Sequence, residues 1–193
     1  MFFFIVIVGI VIFVCAWIYD QKNLKDFKKS IISSCAEKGI NLSQFYMSSK
    51  DYSGIAIDHS HKKICLIDGS QYNLVDFDYI ISCELKENGE EIIKTSRTSQ
   101  LAGAVIGGAL FGGVGAVIGG LSGSKVKNAG KIKDLDLEII INDTENPIHT
   151  VSFLDGLNEY KKNDDVYRDI YRTARRWYGI LSVVVNQNKQ TNN

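Results

Sequence analysis

The sequence predicts an α+β protein: an N-terminal transmembrane helix, an antiparallel β domain interrupted by a glycine-rich helical hairpin, and a C-terminal amphipathic helix that closes the sheet. Three observations carry this. Two apolar blocks stand out from a chain whose mean hydropathy is near zero. Short runs rich in Ile, Leu and Tyr recur at close spacing between 41 and 99 and resume after 125. A final segment repeats apolar residues at helical spacing. The expected organisation is an anchor over 1–19, a connector helix over 20–40, a split β domain over 41–99 and 125–185, a glycine-zipper insertion over 100–124 and a disordered tail over 186–193.

The first apolar block, Phe2 to Ile18, reads FFFIVIVGIVIFVCAWI. Its length sits at the short end of the roughly 17–25 residues that span a bilayer. No A-x-A-like cleavage site follows, which predicts a retained signal anchor. Trp17 and Tyr19 lie where an interfacial aromatic belt would form. Lys22, Lys25, Lys28 and Lys29 come next, and cytoplasmic flanks carry the excess of Lys and Arg. The expectation is a single-pass protein of the bacterial inner membrane, its main domain cytoplasmic and these lysines against the membrane surface. Cys15, Cys35, Cys65 and Cys83 are scattered, without a C-x-x-C pair, which predicts reduced thiols.

Leu24, Phe27, Ile31, Ile32 and Cys35 predict a helix over 21–37 that stops at Lys38-Gly39. Beyond it the period shortens. Gly54–Asp58 and Lys63–Asp68 predict two strands around a turn at His59–Lys62. Asp78–Leu85 and Glu91–Lys94 predict two more, joined at Glu87-Asn88-Gly89. Leu135–Ile141 and Ile148–Leu154 continue the pattern on the far side of the glycine block. Closely spaced short strands imply an antiparallel meander with one face buried. Asn163 or Asp164 caps a last helix whose stripe is Val166, Ile170, Ala174, Trp177, Leu181 and Val184 or Val185.

Leu101–Gly123 contains no charged residue. Gly103 and Gly107 are four apart, as are Gly108 and Gly112, then Gly115, Gly119 and Gly123. That spacing lines glycines along helix stripes and lets another backbone approach closely. In water each glycine costs a helix up to about 1 kcal/mol relative to alanine, so the segment needs lipid or protein against it. A single crossing would put the two halves of the β domain on opposite sides of a membrane, and both flanks are basic, with Lys125 and Lys127 after the block. A hairpin turning near Phe111–Gly115 avoids both problems. Its turn needs burial in protein, which predicts a homo-oligomer. The competing arrangement is a helical hairpin buried on the domain's own sheet.

Strands in this order closed by a long helix resemble the pleckstrin-homology-like arrangement, including its GRAM and bacterial PH relatives. The residues carrying the likeness are Gly54–Asp58, Lys63–Asp68, Phe77–Leu85, Asp134–Asn142, His149–Leu154 and Val166–Val185. The glycine block is similar to glycine-zipper segments of bacterial envelope proteins. The combination resembles a group of membrane-anchored bacterial proteins, which implies a binding or scaffolding role and brings no catalytic residues. The basic loop between the first two predicted strands holds only Lys62 and Lys63 beside two histidines, against phosphoinositide recognition.

Chemistry is sparse. Asp58, His59 and His61 have the character of metal ligands, but nothing else near them does and they fall at a predicted turn, so no metal is expected. His149 reads as a strand residue. G-x-S-x-G, H-E-x-x-H and Walker motifs are missing from the sequence. Gly113–Gly115 imitates a dinucleotide fingerprint, yet Ile118 stands where its third glycine belongs. Arg168, Arg172, Arg175 and Arg176 form a basic edge partly balanced by Asp164, Asp165 and Asp169. A solvated face or contact with anionic lipid fits that edge better than nucleic acid does, since the net charge is zero. No catalytic residue and no cofactor is expected. The predicted function is a non-enzymatic, self-associating membrane scaffold or sensor that meets lipid and an unidentified protein partner. The alternative is a membrane-perturbing or pore-forming effector in phage defence or superinfection exclusion.

Overall fold

The computed structural model describes residues 2–97, 131–154 and 156–191, without the side chains of 2–5, 9, 10, 13, 16–21 and 188–191. Helix α1 covers Phe2–Glu37 without a break, so the expected anchor and connector are one helix. It ends where the sequence predicts. Gly39 adopts φ 76°, Ile40 N–H bonds the Cys35 carbonyl at 2.9 Å and Gly39 N–H bonds that of Ala36 at 2.9 Å. This paired closure uses glycine's access to positive φ to satisfy the last carbonyls. Among the described residues no helix is long and apolar enough to cross a membrane, which departs from the spanning helix expected over 1–19. Many side chains of that block lie outside the description. Those within it (Val6, Ile7, Val8, Val11, Ile12, Val14 and Cys15) are exposed.

Eight strands form two antiparallel sheets. Strands β1 (Gln44–Met47), β2 (Gly54–Asp58), β3 (Lys63–Asp68) and β4 (Gln71–Asp76) make sheet A in that order. A 3-10 turn at Phe77–Tyr79 leads to sheet B, ordered β6-β5-β7-β8, with β5 (Ile80–Glu87), β6 (Glu90–Ser96), β7 (Leu135–Ile141) and β8 (Ile148–Ser152). Asn88 and Gly89, at φ 49° and 78°, form the two-residue turn between β5 and β6, the geometry an Asn-Gly pair favours. Helix α2 (Asp165–Thr191) packs against β5, β6 and β7 and runs on through residues expected to be a tail.

The main core lies between the sheets and under α2. Ile55, Ile57, Leu85, Leu137, Ile139, Val151, Trp177 and Leu181 are its centre. The α2 stripe enters it as predicted from Ala174 to Val185, with one correction. Tyr167 is buried, its hydroxyl donating to Glu87, while Val166 is 58% exposed. Val166 sits at the margin of the stripe, and Tyr167, one residue on, takes the inward position.

Sheet A also departs from expectation, because both its faces are covered. Ile31, Cys35 and Ile40 pack with Ala56, Cys65 and Ile67 on the side away from the main core, with Phe27, Phe45, Tyr72 and Leu74 around them. Every residue of β2 is buried. The near-continuous apolar runs of β2 and β3 record this two-sided burial, whereas β7 alternates buried and half-buried positions.

Strand β5 pairs with β6 on one side and β7 on the other, both antiparallel. The two halves flanking the glycine block therefore share one sheet, and no single membrane crossing separates them. Strands β6 and β7 are consequently parallel, and a parallel pair needs a crossover the length of the sheet. Arg97 N–H bonds the Ile81 carbonyl at 3.0 Å, while the Lys131 carbonyl accepts from Asn88 at 3.0 Å. The described chain thus leaves the sheet beside Ile81 and returns beside Asn88, seven residues further on, roughly 23 Å at ~3.3 Å per residue.

Candidate functional site

The residues expected to do the membrane and oligomer packing, Gly103, Gly107, Gly108, Gly112, Gly115, Gly119 and Gly123, lie outside the described residues, as do Lys125 and Lys127. What the structure positions is the frame that holds them. Arg97 secures the departing end: its guanidinium donates to the carbonyls of Phe77, at 3.2 Å, and Asp78. Lys131 and Lys133 secure the returning end through an ion pair each with Glu159, that of Lys133 at 3.1 Å. Asn88 accepts from the Lys133 and Asp134 backbone at 2.9 and 3.2 Å. The β5–β6 turn therefore also fixes the chain as it re-enters the sheet. The Asn-Gly signal is legible in sequence; this second duty is not.

Lys22, Lys25, Lys28 and Lys29 are all exposed on α1. Lys28 is tied down, its ammonium 4.8 Å from the centre of the Phe45 ring. Lys38, ten residues on, lies over Tyr72 and donates to its hydroxyl at 3.2 Å.

The Asp58–His59–His61 cluster is a turn, and a more built one than its sequence suggests. Asp58 is 1% exposed. Its Oδ1 accepts from Ser60 N–H at 2.8 Å and His61 N–H at 3.1 Å. Its Oδ2 lies 2.7 Å from both Asn41 N and His61 Nδ1. One carboxylate thereby fixes the β2–β3 turn and joins it to the segment leaving α1. Burial tends to raise its pKa, but the His61 ring and the backbone donors prevail and hold it at about 2. Among the described residues no group of three or more His, Cys, Asp or Glu side chains is arranged to hold a metal. His149 lies in β8 as expected, its Nε2 donating to the Gly54 carbonyl at 2.9 Å, and burial lowers its pKa.

A second polar knot joins the β1–β2 loop to sheet B. Ser152 Oγ donates to Asp51 at 2.9 Å, Ser152 N–H to Ser53 Oγ at 3.0 Å, and Tyr46 hydroxyl to the Ser152 carbonyl at 3.1 Å. Asp136 stands beside it with a buried Oδ1 that has no hydrogen-bond partner, and burial raises its pKa. A carboxylate whose folded pKa is raised opposes folding once the pH exceeds its ordinary value near 4. Asp136→Asn should therefore raise the thermal midpoint at pH 7 by about 2–4 °C, equivalent to about 1 kcal/mol. The gain should shrink towards pH 4, which paired melting curves would read.

The arginine edge of α2 is largely paired. Arg168 bonds Asp165, Arg172 reaches Asp169 at 2.6 Å, and Arg176 donates to Gln44 in β1 at 3.1 Å. On sheet B, Lys94 bonds Glu84, and Lys86 reaches Glu138 at 2.8 Å. These arrangements position elements and present no nucleophile beside a base.

The chain is 29% identical over 178 residues to the SPbeta prophage-derived uncharacterized membrane protein YomJ of Bacillus subtilis strain 168, covering 86% of this chain and 76% of that one. It is 34% identical over 120 residues to a protein named immunity protein of Bacillus phage SPbeta, covering 58% of this chain and 57% of the relative. No solved structure matches. Residues 44–155, over half of the chain, match the model for the glycine zipper containing PH domain, and the chain belongs to that family.

Proposed function

We propose that this protein is a membrane-anchored, non-enzymatic binding module with an immunity role of the kind its phage relative is named for. Helix α1 carries the reading. One end packs on sheet A through Ile31 and Cys35, and the other bares Val6, Ile7, Val8, Val11, Ile12 and Val14. A row of exposed valines and isoleucines at the far end of a helix rooted in a folded domain is costly in water, at about 25 cal/mol for each Å² of apolar surface. Lipid removes that cost. The relative named a membrane protein supports the same placement. The lysines that follow favour a cytoplasmic domain on an inner bacterial membrane.

The glycine segment is the part that meets other copies or a partner protein. The strands on either side of it, β6 and β7, belong to one sheet, so the segment is offered to a neighbour from a folded frame. Helix-to-helix contact through such stripes predicts self-association.

Two measurements test this. Full-length protein should resist alkaline carbonate extraction from membranes, and a variant lacking 2–18 should be released as folded protein. In a Bacillus subtilis lysogen of phage SPbeta from which the phage immunity protein has been deleted, expression of the chain should restore immunity. The variant Gly112→Leu/Gly115→Leu/Gly119→Leu should not. Extraction by carbonate overturns the anchor. Unrestored immunity overturns the role, and depolarisation of the cells by the wild type alone establishes the pore-forming effector in its place.

A further inference from the structure

We infer that the flank of the domain along β1 is a membrane-facing surface, fitted to the anionic headgroups of the bilayer that α1 enters. This rests on the anchored reading above. The direction of α1 across sheet A carries it. Lys28 lies over Phe45 of β1, Cys35 packs with Cys65 of β3, and Lys38 lies over Tyr72 of β4. From Lys28 to the helix end at Glu37, nine residues rise about 14 Å, at ~1.5 Å each. Three strand spacings from β1 to β4 span about 14 Å, at ~4.8 Å each. The two lengths agree, so α1 crosses the strands nearly at right angles and leaves the sheet over the β1 edge.

Ile18, the last apolar residue of the block, precedes Lys28 by ten residues, so about 15 Å of helix separate the β1 edge from hydrocarbon. Headgroups fill roughly 5–8 Å of that. The remaining gap is close to the ~8 Å screening length at physiological salt. Lys22 and Lys25 lie in that stretch, matched in number by Asp20 and Asp26, and the unmatched charges are those of Lys28 and Lys29 at the β1 edge.

The same flank carries two features that α1 does not supply. Arg176 of α2 lies at one end of β1, its guanidinium on the Gln44 amide oxygen. At the other end Gly156 sits against Lys50, and the next residue, Leu157, is 86% exposed. Lys50 is paired with Asp134 at 3.3 Å and adds no net charge there. The surface is therefore a modest positive charge with an apolar tip, the combination that settles on an anionic interface.

The test uses full-length protein carrying Cys15→Ala, labelled with a fluorophore at Leu157→Cys, in nanodiscs. Discs are either phosphatidylcholine alone or phosphatidylcholine with phosphatidylglycerol, each containing headgroup-quencher lipid. A second label at Asn73→Cys, exposed in β4 on the far edge, reports the distant side. Quenching at 157 should be at least twofold stronger with phosphatidylglycerol, and should fall in high salt. Lys25→Gln/Lys29→Gln/Arg176→Gln should abolish the difference at an unchanged melting temperature. Label 73 should stay unquenched throughout. Equal quenching at 157 in both disc types, or equal quenching at 157 and 73, overturns the surface while leaving the anchor standing. Failure of the protein to enter discs overturns the anchor, and the surface with it.

Discussion

Asp58→Ala should destabilise the domain by about 3 kcal/mol and lower its thermal midpoint by about 6–12 °C. The carboxylate is buried and receives the backbone N–H groups of Asn41, Ser60 and His61 together with the His61 ring. Truncation leaves these donors without their acceptor, at about 1–3 kcal/mol for each one that water does not reach. Lys62, at φ 53°, holds its place in the turn only while the turn is pinned. Asn41 is the first residue past the segment that closes α1, so the loss should also loosen the helix. Hydrogen exchange should show faster opening of β1 and of α1 after Phe27 in the variant, with β7 little changed.

The pH dependence follows from the same carboxylate. Its folded pKa is depressed to about 2 against an ordinary value near 4. A depressed carboxylate contributes stability that is complete above its unfolded pKa and is lost as the pH falls through the folded one. The thermal midpoint of the wild type should therefore fall between about pH 4 and pH 2. Asp58→Asn, which cannot titrate, should start lower and show a flatter curve across that window. Parallel curves for the two proteins would remove Asp58 from the account of acid stability.

Most of the fold was legible because its signals are local. Asn88-Gly89 specifies a hairpin turn through the positive φ that both residues adopt. Gly39 specifies the end of α1 for the same reason. The α2 stripe is a repeat of period 3.6 that one packed face requires. What escaped were relations between distant segments. Strand β1 is four half-buried residues, QFYM, with neither alternation nor a long apolar run to mark it. Its partners are β2 and, far along the chain, the Phe153 ring stacked on Tyr46 at 4.3 Å. The covering of sheet A by α1 is present in the unbroken runs GIAID and KICLID, which a strand with one buried face does not need. The polar turn at Asp58 was visible as a motif, while its burial was not, since that depends on α1 arriving beside it.

Gly54 is where these distant relations meet, and Gly54→Val should cost about 3 kcal/mol, the upper part of the range for overpacking a core. A Cβ at this position would stand 2.7 Å from the Tyr46 carbonyl oxygen and 3.2 Å from the Met47 Cα. Both are backbone atoms of β1, paired in register with β2 at Tyr46↔Ile55 and Met47↔Gly54. No side-chain rotation relieves such contacts, so β1 itself must move. It is held on its other side by Tyr46, whose ring stacks on Phe153 and whose hydroxyl donates to Ser152. The Gly54 carbonyl also receives the His149 ring, so a shift of β2 in response would leave a half-buried imidazole nitrogen without its acceptor. Gly54→Ala should cost less, because one methyl group needs a smaller displacement, and the ratio between the two variants measures how far β1 can yield. Chemical denaturation of both variants would report it. A valine tolerated within about 0.5 kcal/mol would mean that β1 is loosely held, and the membrane-facing flank built on its edge would lose its rigid support.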